Sequence, residues 1–305
     1  MSKTPTLATN LEELSAVMDK FSTEESWQRA LAFEPRPNDI IISPYAKCGT
    51  TWLQHIVHGL RTSGNMDFEE ITVVTPWLEV AHDMGWDVNA PQVAEPRVFK
   101  SHLSFDAVPK GGRYICSFRH PADAFVSLYR FFEGFFFEPG TISLESFFHW
   151  RYPREKLAEQ GYWYHLASWW EQRHNEDVLL LCYEDTKADL PGTVRRLAHF
   201  LGIEPDAKLV DTVVHQSSRD FMLAHRYQFD ERPLRRRLEE RGVIPFNVEA
   251  SKVTPGASGA ARYTLSPELR GELEAIWKEH LTPKFGFEHY EELRQALREL
   301  QREKV

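Results

Sequence analysis

Residues 40–52 read Ile-Ile-Ile-Ser-Pro-Tyr-Ala-Lys-Cys-Gly-Thr-Thr-Trp. An apolar run, Ile40 to Ile42, meets a short turn that holds Lys47 and Gly49. Two hydroxyl residues, Thr50 and Thr51, open the amphipathic stretch that follows. This pattern predicts a strand, a phosphate-sized loop and the start of a helix. Backbone N–H groups at a helix N-terminus, beside a lysine and two hydroxyls, form an anion site. The order of residues excludes the loop of nucleoside triphosphatases. That loop needs Gly-x-x-x-x-Gly-Lys-Ser/Thr, whereas here Lys47 precedes Gly49 and the first glycine is missing. The Ser/Thr–Asp arrangement that holds magnesium in such sites is not evident either.

Further apolar runs repeat the strand reading at Arg97–Lys100, Arg113–Phe118 and Val178–Cys182. Helical spacing separates them. One helix is expected over Leu11–Leu31, another from Pro121 to about Phe132, and more over 143–175. Leu190–Leu201, closed by Gly202, and Pro205–His215 follow. Residues 225–262 read as irregular, and helices near Pro267–His280 and Tyr290–Lys304 close the chain. Strands alternating with helices predict an α/β fold, with a central, mostly parallel sheet flanked by helices on both faces. No linker or repeat divides residues 1–305, so one domain is expected.

The 305 residues are 42% hydrophobic and 27% charged, with a net charge of −9. Such acidity argues against a general nucleic-acid binder. No run reaches the roughly 18 apolar residues of a membrane span, and the N-terminus lacks a signal-peptide pattern. The three cysteines, Cys48, Cys116 and Cys182, sit in or beside strand-like runs. A reduced, cytoplasmic protein is the expectation. His55 and His58 lie three apart on one helix without an evident third ligand, so no metal is expected.

Ligands of a parallel sheet bind beyond the carboxyl ends of its strands. Lys47, Thr50 and Thr51 follow the first strand, and Lys100 and His102 the second. Arg119 and Ser127 follow the third, and Tyr183 the fourth. Three cations, a histidine and several hydroxyls gathered on one rim of an acidic protein imply a bound anion.

These elements carry a family resemblance. Tyr45-Ala46-Lys47-Cys48-Gly49-Thr50-Thr51-Trp52 resembles the 5′-phosphosulfate loop of cytosolic-type sulfotransferases, Tyr-Pro-Lys-Ser-Gly-Thr-Thr-Trp. Phe99-Lys100-Ser101-His102-Leu103 is similar to the Lys-Thr-His-Leu element that carries their catalytic histidine. Cys116 to Ser127 resembles their 3′-phosphate segment, and Tyr183-Glu184-Asp185 matches their Tyr-Glu-Asp element. The four occur in the family's order over about residues 40–202.

The resemblance implies the P-loop-like sulfotransferase fold and the co-substrate 3′-phosphoadenosine 5′-phosphosulfate (PAPS). It implies His102 as general base, with Lys47 and Lys100 at the developing charge. Lys47, Cys48, Gly49, Thr50 and Thr51 would hold the 5′ end, and Arg119 and Ser127 the 3′-phosphate. Trp52, Tyr183 and Ser217 would surround the adenosine, with Arg219 where an aromatic normally stacks on the base.

The family's Arg-Lys-Gly-x-x-Gly loop is altered to Thr254-Pro255-Gly256-Ala257-Ser258-Gly259. Gly256 and Gly259 keep their spacing, while the Arg-Lys pair is gone; Lys252 or Arg262 is a candidate to supply charge, with tighter reliance on Arg119 or closure of the loop over the cofactor as the alternatives. Each lost charged hydrogen bond costs about 1.5–3 kcal/mol. Cys48 replaces the usual serine. It reads either as a small loop residue or as a thiol with a lowered pKa. The stretch Phe131–Phe137 reads either as core or as an apolar acceptor wall. The expected partner is a small-molecule hydroxyl or amine acceptor, and a homo-oligomer is compatible with the sequence. A nucleotide-binding protein that has lost transfer, and a small-molecule kinase, are the competing readings.

Overall fold

In the computed structural model, residues 5–156, 161–246 and 261–303 are described. Four strands form one sheet: β1 (Ile40–Ile42), β2 (Val98–Lys100), β3 (Arg113–Phe118) and β4 (Val178–Cys182), in the order β2-β1-β3-β4. All neighbours are parallel, with Ile40 opposite both Val98 and Arg113, and Tyr114 opposite Val178. Because the strands run the same way, Ile42, Lys100, Phe118 and Cys182 end on one rim.

Side-chain alternation along each strand divides the core between the two faces. Ile40, Ile42, Val98, Ile115 and Leu181 pack on one side with Leu53, Ile56, Val57 and Leu60. Those four recur at helical spacing on the helix Thr50–Arg61, and Val194 and Leu197 from Leu190–Leu201 join them. Ile41, Phe99, Cys116, Phe118 and Leu180 pack on the other side with Phe125, Phe147 and Trp169. Each large apolar side chain withdrawn from water contributes about 1.5–3 kcal/mol.

Local chemistry sets the boundaries. His120 caps the helix Pro121–Phe132 with its ring nitrogen, and Pro121 supplies the preset first turn. Asp189 caps Leu190–Leu201, and Gly202 ends it in the left-handed conformation. The helix expected over Leu11–Leu31 is instead two, Leu11–Met18 and Glu24–Leu31. Thr23 divides them, because its hydroxyl caps the second helix at Ser26 N–H while its own N–H and hydroxyl donate to Asp83. The region expected to be irregular holds a helix, Arg232–Glu240, anchored by buried Leu234 and Leu238 four residues apart.

Candidate active site

The loop after β1 is shaped by two residues in the left-handed region, Lys47 (φ 67°) and Gly49 (φ 99°). A Cβ on Gly49 would lie 3.1 Å from Tyr183 Cδ2, so glycine is needed for approach as well as for conformation. Arg119, at the end of β3, donates from Nη1 to the Lys47 carbonyl at 2.8 Å. Its guanidinium also lies 4.4 Å from the centre of the Tyr183 ring. Tyr183 meets Trp52 edge-on at 5.5 Å, and Trp52 Nε1 donates to the Ser217 carbonyl at 2.8 Å. The structure thus gathers Lys47, Gly49, Trp52, Arg119, Tyr183 and Ser217 from across the chain.

Three buried polar atoms in this cluster have no hydrogen-bond partner among the described residues: Thr50 Oγ1, Arg119 Nε and Ser217 Oγ. Buried donors left unmade are costly. An anionic, hydroxyl-bearing nucleotide fits such a donor set. Thr51 is half-buried on the first turn of its helix, and Ser127 is half-buried on the second turn of Pro121–Phe132. Arg219 is exposed at the start of the helix Arg219–Ala224. Gly256, Gly259 and Lys252 lie outside the described residues. Arg262 is already engaged, at 3.0 Å from Asp123 and 3.4 Å from Glu291, so its charge is met by two carboxylates.

Cys48 is buried, and that burial pushes its thiol up to about 12, against the opposing pull of Arg119 and Lys47. Burial thus favours the reading of Cys48 as a small loop residue, packed in the core cluster that holds Cys116 and Phe118. Phe132, Phe135, Phe136 and Phe137 are buried in the core, which settles most of the aromatic stretch. Phe131 is half-buried, with Lys47 Nζ 4.4 Å from its ring centre.

On the other side of Lys47, β2 delivers Lys100 and then His102. His102 Nδ1 stands 2.7 Å from the Pro44 carbonyl. A carbonyl only accepts, so Nδ1 carries the proton and Nε2 keeps its lone pair. The His102 N–H donates to Glu79 Oε1 at 2.6 Å, and Trp77 meets the imidazole edge-on at 5.2 Å. Glu79 is buried, and burial raises its carboxyl pKa despite the His102 N–H. Phe21 packs against Trp77 and Phe136 at 5.7 and 5.8 Å, extending an aromatic wall beside the histidine. Lys100 is buried against Trp77 and forms an ion pair with Glu231.

Glu184 ties the rim together, accepting from His120 N–H at 3.0 Å and from the Tyr290 hydroxyl at 2.7 Å. His55 and His58 lie in the interior instead. His55 Nε2 is 3.0 Å from the Gln216 carbonyl, and His58 packs edge-on against Phe68. Among the described residues no group of three or more His, Cys, Asp or Glu is placed to hold a metal ion. Glu79, Glu184 and Glu231 were not foreseen. Only Glu184 carried a signal, its place inside the Tyr-Glu-Asp element.

The family model of the sulfotransferase domain matches residues 37–284. Human sulfotransferase 1E1 is 29% identical over 300 residues, covering 92% of this chain and 92% of the relative. Among solved structures, mouse sulfotransferase SULT7A1 complexed with PAP superposes with a TM-score of 0.66 at 17% identity, covering 93% of this chain and 95% of that one. Retinol dehydratase in complex with androsterone and inactive cofactor PAP gives 0.66 at 18% identity, over 83% of each. These two likenesses show the fold. The chain belongs to the sulfotransferase domain family and is a PAPS-dependent sulfotransferase.

Proposed function

We propose that this protein, as one domain acting in the cytoplasm, moves the sulfuryl group of PAPS to a hydroxyl or amine of a small apolar or aromatic acceptor, with His102 as general base. The observation that carries this reading is the bond between His102 Nδ1 and the Pro44 carbonyl, which leaves Nε2 able to take a proton. PAPS, when bound, supplies an activated sulfuryl group on a phosphate leaving group. Lys47 places a cation where leaving-group charge develops, and Lys100, ion-paired with Glu231, supports that side from behind Trp77. Gly49, Thr50 and Thr51 offer backbone and hydroxyl donors to the 5′-phosphate, with Cys48 as the small residue that lets the loop close. Arg119 and Ser127 meet the 3′-phosphate, and arginine suits it because its planar fork donates two bonds at once. Trp52, Tyr183 and Ser217 flank the adenosine, and Gly256 and Gly259 complete the 3′ side.

The acceptor class follows from Trp77, which meets the histidine, and from Phe21, which packs on Trp77 and continues that aromatic surface. A polar acceptor would leave that wall unfilled. The androsterone held by retinol dehydratase has the same character.

Incubation with labelled PAPS and a mixed acceptor library tests the reading, with His102→Ala as control. Loss of a general base lowers turnover by roughly 10²–10⁴-fold, while donor binding by calorimetry is retained. Transfer that persists in the variant would remove His102 from its role. Absence of donor binding in the parent protein would remove the whole reading, and a product that needs ATP and magnesium would make it a kinase.

A further inference from the structure

Lys100 stands two residues before His102, with its side chain only 2% exposed and that of its partner Glu231 only 3%. Two ions taken from water this completely are costly to keep, and such a pair persists where its surroundings hold both members. The surroundings do so here. Glu231 has a φ of 53°, in the left-handed region that residues with a Cβ rarely adopt. It occupies the N-cap position of Arg232–Glu240 but gives that helix no side-chain cap. Its carboxylate is turned to Lys100 instead. Its N–H donates to Oε1 of buried Glu70 at 3.2 Å, and the other Glu70 oxygen is fixed by Thr72.

From Lys100 the contacts run on toward the histidine. The Lys100 ammonium lies 3.6 Å from the Trp77 ring centre, and Trp77 meets His102 edge-on at 5.2 Å. Glu79 acts on the same lysine from the helix Leu78–Ala81. Arg235 is the group through which the charges of Asp230, Glu231 and Arg232 meet.

We propose that Glu231 is a positioning residue for sulfuryl transfer: by fixing the Lys100 ammonium against Trp77, it holds His102 and the aromatic wall in their reactive arrangement. This rests on the function proposed above. A residue 131 positions away in the chain thereby controls the acceptor side without touching the acceptor.

Steady-state kinetics with labelled PAPS and a small phenol would be measured for the parent protein, E231Q, E231D, K100M and the double variant K100M/E231Q. Loss of one charge-assisted contact in E231Q is expected to lower kcat by roughly 10–100-fold. The KM for PAPS should stay within about twofold. If Glu231 works through Lys100, the double variant matches K100M alone, because effects on one pathway do not add. E231D keeps the charge and should recover part of kcat. An unchanged kcat in E231Q would overturn the proposal, as would losses in E231Q and K100M that simply add. Should E231Q fail to fold, the comparison of K100M with the double variant, which carries no unpaired buried charge, decides the matter. No transfer by the parent protein to any acceptor would remove the sulfotransferase reading itself; transfer by the parent with E231Q unimpaired removes only the role of Glu231.

Discussion

Gly49 shows how little freedom the donor loop has. Its φ of 99° and the 3.1 Å from a would-be Cβ to Tyr183 are independent constraints. Gly49→Ala adds backbone strain of about 1–3 kcal/mol and pushes Tyr183 away from Arg119 and Trp52. Expressed in donor binding, that strain corresponds to roughly a 5–150-fold weaker Kd, which calorimetry would read; unchanged binding would mean that Tyr183 swings aside at no cost. The neighbouring Cys48 gives a chemical test. All three cysteines are buried, and desolvation raises the thiol pKa of each. Since the thiolate is the reactive form, iodoacetamide at pH 8 should leave the native protein unlabelled and modify three sites after unfolding, as counted by intact mass. Rapid labelling of Cys48 in the native state would contradict its burial.

The C-terminal helix Tyr290–Glu303 clasps the end of β4. Asp185 accepts from Arg294 at 2.7–3.0 Å and from Arg298, and their charges outweigh the opposing effect of burial to hold its carboxyl below the ordinary range. Asp185→Asn should cost about 1–2 kcal/mol, less than a fully buried pair would, because Arg298 is partly exposed. In a chain of this size that is a Tm lower by about 2–4 °C. An unchanged melt would show that the clasp adds nothing beyond apolar packing.

This clasp also marks how far local sequence carries. Strands β1, β3 and β4 were legible to the residue, because short β-branched and apolar runs stop at Ser43, Arg119 and Tyr183. Lys47, His102 and Arg119 could be placed on the rim from the sequence because charged and titratable types stood at or just beyond those stops. The Arg232–Glu240 helix was hidden, since only Leu234 and Leu238 carry its apolar stripe among six charged neighbours. Glu231 and Glu79 were hidden for another reason. Their meaning lies in contacts with Lys100 and His102 that exist only once the β2 rim has formed.

At the scale of the whole molecule, buried neutral histidines make stability depend on pH. Burial lowers the pKa of His55 to about 4, and of His58 and His165 to about 3, from 6.5. Each stays neutral in the folded protein while its unfolded counterpart takes up a proton below 6.5. The unfolded state therefore binds more protons as pH falls, and stability falls with it. The contribution is complete above pH 6.5 and is lost progressively toward the folded pKa values, at up to roughly 1.4 kcal/mol per pH unit for each ring. Three such rings together reach several kcal/mol by pH 5, a large share of the 5–15 kcal/mol typical of a domain. Glu79 works in the opposite sense, since its raised carboxyl pKa means that acid relieves a buried charge. One carboxyl offsets only part of three histidines. Urea midpoints measured from pH 8 to pH 5 should be level above about 7 and fall steeply below 6.5. His58 makes the sharpest control: it packs on Phe68 and its ring Nδ1 has no partner among the described residues. His58→Phe removes one protonation site without deleting a bond seen there, and the slope should flatten by about a third. A level curve down to pH 5 would mean that water reaches these rings and that they protonate in place.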